Sequence, residues 1–426
     1  MFIFIIPVRI IPRRIEISRI RRSLPWVMVY GRRKTGKTFL VENFIPYDKF
    51  FFVNRDGTVL DKESGEFYTY REFIKILREI IEDKTIVVDE FHRLPESFLD
   101  FLHALGIKGN LILITSTLWL AKKIIGRGQP LLGLVKPVKI DLVDEREILV
   151  ELSKDFQGKE LVESSVYLRE VMLIPFYRGG NIRDFLADFL YDGKLILKEL
   201  VGEVFREEER ELTNIYEGVL KAVADGKNIS TEISSLLFSR GLLAKDNPGI
   251  LQKYLNILTE MGILEKIKVF NKKKYRYFHK SPLLDLHYYL ESKYSYTELD
   301  IPKKFIRRVV NEKLPRHVEQ FFRNLLSKIL GLQYQIIEER ELEVDIALLE
   351  FKRLKLVGEV KWKNYVPRKE VKTVEEKLGK FKNIQKILIV PETSVLEKEP
   401  EDIEVWDVEK ILEKSRKSLF FENSAQ

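Results

Sequence analysis

The sequence contains no cysteine. Disulfides, thiolate zinc sites and cysteine nucleophiles are therefore excluded. Histidine is nearly as scarce, with five in 426 residues and none paired at zinc-ligand spacing. No apolar run approaches the length of a membrane span, so no membrane partner is expected. The opening Met1-Phe2-Ile3-Phe4-Ile5-Ile6 is apolar, but it is too short for the core of a secretion signal and has no basic stretch before it. It reads as a first strand or as an artefact of translation start. A cytoplasmic location is the expectation.

What the chain has is aliphatic bulk and charge. Apolar residues make up 45%, ample for packed cores, and the length suggests about three domains. Lys and Arg number 73 against 65 Asp and Glu, a net charge of +8. That mild excess fits a nucleic-acid partner without requiring one. Many charges with no cysteine also suit a hot environment.

Residues Gly31-Arg32-Arg33-Lys34-Thr35-Gly36-Lys37-Thr38 spell the full G-x-x-x-x-G-K-[ST] phosphate loop. An apolar, β-rich run, Trp26-Val27-Met28-Val29-Tyr30, precedes it, and Phe39 to Phe44 reads as a helix after it. Strand, glycine-bounded loop and helix point backbone N–H groups at a polyphosphate. The expected ATP contacts are residues 31–38 and Phe39. Lys37 is expected on the β- and γ-phosphates, and Thr38 on Mg²⁺. Downstream, Thr85-Ile86-Val87-Val88-Asp89-Glu90 is a buried-strand run ending in two acids. Asp89 is expected to hold Mg²⁺ through water or Thr38, and Glu90 to orient the attacking water. A third strand, Leu111 to Ile114, ends in Thr115-Ser116-Thr117. A hydroxyl there fits either a γ-phosphate sensor or a cap on the next helix.

Four segments are expected. Residues 1–140 alternate strands and helices, predicting a mostly parallel sheet covered on both faces, with a short basic helix from Arg13-Arg14-Ile15-Glu16. Residues 141–205 look helical, over Asp144 to Phe156 and Asn181 to Leu190, and predict a lid over the nucleotide. Residues 206–295 predict three helices, with Leu212 to Ala224 first, Ser230 capping the second and Asn247-Pro248 opening the third. Ile250, Leu251, Tyr254, Leu255, Leu258 and Met261 form the third helix's stripe. A hairpin follows, Leu264–Val269 and Lys274–Phe278. Together these make a winged helix-turn-helix. Lys253, Lys268, Lys272, Lys273, Lys274 and Arg276 would touch DNA phosphates; a protein-binding module with a solvated charged tip fits the same pattern.

Residues 296–426 form the last unit. Lys303 to Val310 is basic and Pro315 to Leu330 is a helix; strands and a further helix, Val371–Leu378, follow. Asp345, Glu359 and Lys361 are the candidates here, because Glu359 and Lys361 share one face of a period-2 strand. Two carboxylates holding Mg²⁺ beside a lysine suit phosphodiester cleavage, with Glu319 as a further carboxylate. Cross-strand charge pairs on a solvated face fit the spacing too.

The combination resembles archaeal ATPases of the STAND/AAA+ superfamily that carry a C-terminal restriction-endonuclease-like domain, over nearly the whole chain. The phosphate loop resembles that family's glycine, basic residues and T-G-K-T. Its R-x-x-E helix is matched loosely by Arg14 and Glu16, and its Walker B acids by Asp89 and Glu90. The segment 212–280 is similar to its winged helix, with Ser281-Pro282-Leu283-Leu284 in place of D-P-x-L. Its E-x-D and E-x-K-W elements are similar to Glu343-Val344-Asp345 and Glu359-Val360-Lys361-Trp362. The Trp and aromatic residues often placed before E-x-D are absent. Where the family often has P-L-x-G-R, Pro130-Leu131-Leu132-Gly133 is followed by Leu134, so a basic group would have to come from Arg127 or Lys136. The resemblance implies a P-loop ATPase core with a helical lid, a winged helix-turn-helix and a nuclease-like α/β domain. Two functions stay open. One is an ATPase whose nucleotide state controls a DNA-binding or DNA-cleaving module. The other is a slowly hydrolysing switch that binds protein partners, or further copies of itself, through the winged helix and a catalytically inactive nuclease-like domain.

Overall fold

The computed structural model describes residues 10–118, 121, 124, 126, 131–207, 212–339 and 342–424. Met1–Ile6, Arg127 and Pro130 lie outside them. Among the described residues no helix is long and apolar enough to cross a membrane.

The first helix, Arg14–Ser23, leads into β1 (Trp26–Tyr30), the phosphate loop and the helix Lys37–Phe44. Then come β2 (Lys49–Val53), β3 (Val59–Asp61), β4 (Phe67–Tyr68), the helix Tyr70–Ile80, β5 (Thr85–Asp89), the helix Ser97–Leu105, β6 (Asn110–Thr115) and β7 (Lys136–Lys139). The sheet order is β4-β3-β2-β5-β6-β1-β7. β2, β5, β6, β1 and β7 run parallel, and β3 and β4 add an antiparallel margin. Central strands are apolar on both faces because each face is covered by its own cluster. One holds Trp26, Met28, Phe73 and Phe98; the other holds Ile17, Ile20, Val27 and Leu40. Register aligns Tyr30 with Thr115 and Asp89 with Ile114, so β1, β5 and β6 end at one sheet edge.

Four helices follow: Glu145–Leu152, Gly158–Leu168, Ile182–Asp192 and Lys194–Glu207. Asp144 and Asn181 cap the first and third by accepting from the N–H groups of Arg146 and Arg183. The expected break at residue 205/206 falls inside the helix Lys194–Glu207. Its Val201, Val204 and Phe205 pack with Tyr216, Val219 and Leu255 of the next unit, while Leu197 joins the core of the three helices before it. A helix cannot be divided where one face buries into each neighbour, so the boundary is gradual.

Next come the helices Asn214–Ala224, Ser230–Ser239 and Pro248–Glu260, then the hairpin of β8 (Leu264–Lys268) and β9 (Tyr275–His279). Ser230 is the first residue of its helix, and Ile229 occupies the cap without a side-chain bond. Leu251, Leu255, Leu258 and Met261 are buried as expected, but Ile250 is exposed.

The helix Pro282–Tyr294 leads to one 28-residue helix, Lys303–Leu330, which contains Pro315. A proline lacks one helical hydrogen bond, which made a start at residue 315 the natural expectation. The helix runs through because Val309, Val310, Leu314, Val318 and Phe321 bury along its length. Beyond it lie β10 (Gln333–Tyr334), β11 (Glu338–Glu339), β12 (Leu342–Glu343), β13 (Ile346–Glu350) and β14 (Arg353–Val360). The helix Arg368–Gly379, β15 (Gln385–Ile389), β16 (Glu404–Trp406) and the helix Val408–Ser424 complete the chain's described part. The second sheet has the order β10-β13-β14-β15-β16. The helices Gly158–Leu168 and Ile182–Asp192, the long helix and this sheet share one core, with Leu161, Leu186, Phe321, Phe322, Ile346, Trp362 and Trp406 in the same cluster.

Candidate functional site

β1 ends at Tyr30, and Gly31 turns the chain. A Cβ on Gly31 would sit 1.9 Å from the Ile140 carbonyl oxygen, so only glycine fits beside the end of β7. Gly36 has a φ of 82° and opens the helix Lys37–Phe44. The Lys37 ammonium donates to the carbonyls of Gly31 (2.9 Å) and Arg32 (3.1 Å). The Thr38 hydroxyl donates to Asp89 Oδ2 at 2.7 Å. Residues from β1 and β5 thus meet at the edge where both strands end.

Asp89 is fully buried. Burial, and then the neighbouring Glu90 charge, push its carboxyl up to about 6, against the Thr38 hydrogen bond, which pulls it down. Glu90 has a φ of 56°, a left-handed backbone uncommon outside glycine, and donates its N–H to Asp89 Oδ1 at 2.8 Å. Its carboxylate accepts from the Ser116 hydroxyl (3.2 Å) and lies 3.5 Å from both His92 Nδ1 and Arg93 Nη2. Thr115 meets His92 Nδ1 at 3.1 Å and Thr117 at 2.9 Å. The hydroxyls that end β6 therefore hold the second acid and its neighbour. His92 and Arg93 were not anticipated, although their closeness to Glu90 in sequence was a usable signal.

The loop's two arginines turn to acids of the helical segment that follows the first sheet. Arg32 makes a bidentate pair with Glu170 (2.7 and 2.8 Å), and Arg33 pairs with Glu203 at 2.8 Å. Arg13 Nη1 donates to the Thr35 carbonyl and Arg13 Nη2 to Glu16 at 2.7 Å. The R-x-x-E pair is therefore Arg13 with Glu16; Arg14, assigned to it from the sequence, is exposed. Glu147 packs against this corner, accepting from the Ile15 N–H at 3.0 Å. Burial and the adjacent Glu16 charge push its carboxyl up to about 8.

Beside the loop lies a cavity of about 260 Å³ with an almost wholly apolar lining. Ile11, Phe39, Leu40 and Phe44 form one wall, Val171, Met172 and Pro175 the other, and Lys34, Thr35 and Gly36 close the end. A flat base on a polyphosphate tether fits such a space. Phe39 was anticipated. The second wall was not, because nothing local in residues 171–175 marks it.

The C-terminal acids also come together. Val360 N–H donates to Asp345 Oδ2 (2.9 Å) and Asp345 N–H to Glu359 Oε1 (3.3 Å). Lys361 Nζ lies 3.4 Å from Glu359 Oε2, and Lys377, from the helix Arg368–Gly379, lies 2.5 Å from Glu359 Oε1. Burial first and the Asp345 charge second raise the Glu319 carboxyl to about 7, and the same causes raise Glu359. Four sequence candidates therefore share one cluster, with Lys377 as an unanticipated fifth member. Among the described residues no three His, Asp or Glu side chains form a metal-holding group.

The basic hairpin is not free-standing. Lys272 donates to the Glu338 carbonyl, Lys274 lies 3.4 Å from the Glu338 carboxylate, and Arg276 pairs with Glu338 (3.0 Å) and Glu343 (3.2 Å). Phe270 N–H donates to the Ile336 carbonyl at 2.8 Å, and Ile336 N–H to the Lys268 carbonyl at 3.0 Å. Lys253, Lys268 and Lys273 are exposed.

Residues 23–129 match the sequence profile of a AAA domain. No curated protein matches the chain. Among solved structures, a Walker-type ATPase of Pyrococcus abyssi is similar at 18% identity and a TM-score of 0.47, over 66% of this chain and 96% of that one. The ORC1 protein of Aeropyrum pernix, solved in complex with DNA, is similar at 14% identity and a TM-score of 0.32, over 70% and 97%. Drosophila ORC bound to DNA follows at 13% and 0.25, over 67% and 88%. At these scores no function carries over. The profile match and the loop geometry agree: the first sheet is a nucleotide-binding AAA-type P-loop ATPase domain.

Proposed function

We propose that the chain is an ATP-driven switch in which nucleotide bound and hydrolysed at the phosphate loop sets the state of a DNA-binding C-terminal module. ATP would exchange the Lys37 ammonium's carbonyl partners for its β- and γ-phosphates. Thr38 and Asp89 would hold Mg²⁺, which supplies charge neutralisation at the phosphates. Glu90, fixed by Ser116 and Arg93, would orient the attacking water.

The observation that carries this reading is one pair of consecutive residues. Glu170 holds Arg32 of the phosphate loop, and Arg169 holds Glu145 at 2.7 Å. Glu145 also takes Lys328 of the long helix, which bears Glu319. Buried ion pairs change partner at high cost, so a shift of the loop at Arg32 is felt at the long helix. DNA affinity measured with a non-hydrolysable ATP analogue and with ADP tests this. The two states should differ at least tenfold in the wild type and converge in Glu170→Ala, with nucleotide affinity retained. Equal affinity in both states of the wild type would end the proposal.

The cluster of Asp345, Glu359 and Lys361 supports Mg²⁺-dependent DNA cleavage as the module's output. A second reading is favoured by the docked hairpin. Lys272, Lys274 and Arg276 already have acidic or carbonyl partners within the chain, which suits a protein-binding switch with a silent nuclease-like domain. Cleavage that requires Mg²⁺ or Mn²⁺ and disappears in Asp345→Ala selects the first reading; its absence with intact ATPase selects the second.

A further inference from the structure

The first helix buries Ile17 and Ile20 against Val27 and Val138 of the core sheet. Its other side carries Arg14, Arg19, Arg21 and Arg22, all exposed. Arg14, Ser18, Arg21 and Arg22 are spaced i, i+4, i+7 and i+8 and so share one face. They border a groove of about 560 Å³ whose floor is Pro12, Ile17 and Phe44. Among the described residues no acidic one lines it. Exposed Lys136, on the neighbouring edge strand β7, lies on the same side of the sheet as Val138 and extends the basic area.

The buried or half-buried arginines Arg32, Arg146, Arg169 and Arg183 are matched to carboxylates, Glu170, Asp144, Glu145 and Glu163 in turn. Among the described residues Arg14, Arg21 and Arg22 have no acidic partner. Arg21 donates to the Phe44 carbonyl (3.0 Å) and Arg22 Nε to the Ser18 carbonyl (3.4 Å). Each guanidinium has five N–H donors, so most remain for a ligand. A face that only solubilised the protein would not need an apolar floor beneath its arginines. Arginine is also weakly hydrated and its fork matches phosphate oxygens.

We propose that this groove binds a single strand of nucleic acid, its phosphates on Arg14, Arg21 and Arg22 and its sugar or base edge over the Pro12, Ile17 and Phe44 floor. Alternation of basic and apolar contacts suits a single strand, whose bases are uncovered, better than a duplex. The groove shares a partner class with the proposed function, and of the nucleotide site's residues it uses only Phe44, which also walls the base-sized cavity. It places a nucleic-acid contact on the ATPase domain itself, independent of the docked hairpin.

The test is fluorescence anisotropy of a labelled oligothymidylate with the full-length chain across a salt series. Arg14→Gln/Arg21→Gln/Arg22→Gln should weaken binding at least tenfold and flatten the log–log salt slope by about 2, three contacts at ~0.7 each. ATP hydrolysis without nucleic acid should be unchanged. The Arg→Lys version of the triple variant should keep most of the slope. Unchanged oligonucleotide affinity and slope would overturn the proposal. So would a loss confined to duplex, or one confined to phosphatidylserine vesicles. If the hairpin variant Lys272→Gln/Lys273→Gln/Lys274→Gln loses DNA and the arginine variant does not, this inference falls and the switch proposal stands.

Discussion

The Thr38 hydroxyl and the Asp89 carboxylate are hydrogen-bonded at 2.7 Å, joining the end of the phosphate loop to the end of β5. Burial holds the Asp89 carboxyl near 6, and the Thr38 bond opposes that rise. Asp89 therefore gains its charge as pH rises through about 6. In the Mg²⁺- and nucleotide-free protein this carboxyl should titrate along that limb. Thr38→Val removes the bond that lowers Asp89 and should move the limb to higher pH, whereas Thr38→Ser should leave it in place. NMR titration of the Asp89 carboxyl in the three metal-free proteins checks this, and an unmoved limb in Thr38→Val would count against the assignment.

Glu147 supplies a stability prediction. Its folded-state value of about 8 lies above that of an unfolded glutamate. The folded chain therefore binds this proton more strongly. Its stabilising effect is full below about pH 4 and is lost as pH rises towards 8, at up to about 1.4 kcal/mol per pH unit. Glu147→Gln keeps the neutral shape and should be more stable than wild type at pH 9 and similar at pH 4. Thermal unfolding at both pH values decides it; equal stability at pH 9 would show that burial and the Glu16 charge do not raise the Glu147 carboxyl in the folded chain.

Gly31→Ala should destabilise the ATPase domain by about 1–3 kcal/mol, because the new methyl would overlap the Ile140 carbonyl and push β1 from the end of β7. Gly133→Ala is the control, since nothing among the described residues lies within 4 Å of a Cβ there, although its φ of 84° adds strain of its own. A larger loss at Gly133 than at Gly31 would contradict the crowding explanation.

The hairpin's partners make the DNA prediction specific. With Lys272 and Lys274 engaged by Glu338, only Lys273 of that trio is exposed without a carboxylate or carbonyl partner among the described residues. Replacing all three should change the salt slope by about 1 while the hairpin stays docked, and by up to about 3 if DNA releases it. Glu338→Ala/Glu343→Ala frees Arg276 and should raise DNA affinity. Unaltered affinity in that variant would show that the docking does not restrain binding.

Much of the phosphate loop's geometry was legible because its requirements are local. Glycine at 31 and 36, Lys37 and Thr38 lie within one turn, and two acids at a strand end place themselves once the sheet is parallel. Period-2 alternation likewise brought Glu359 and Lys361 to one cluster. What stayed hidden depends on distant chain segments. Glu170 and Glu203 are ordinary acids until folding sets them against Arg32 and Arg33. Lys377 is one lysine among many on an amphipathic helix. The second wall of the base-sized cavity has no signature of its own. The docked hairpin rests on Ile336 and Glu338, which read as an unremarkable strand. The boundaries expected near residues 205 and 295 blurred because helices on either side bury into shared cores.

The most direct test compares ATP binding with single-turnover hydrolysis in wild type, Lys37→Ala and Glu90→Gln. Wild type should bind and hydrolyse ATP. Lys37→Ala should lose tight binding, because the charge on the β- and γ-phosphates is gone. Glu90→Gln should bind with wild-type affinity and hydrolyse about 100-fold more slowly or worse, since the amide cannot polarise water. Hydrolysis by Glu90→Gln at the wild-type rate, or tight binding by Lys37→Ala, would contradict the roles assigned to the two residues.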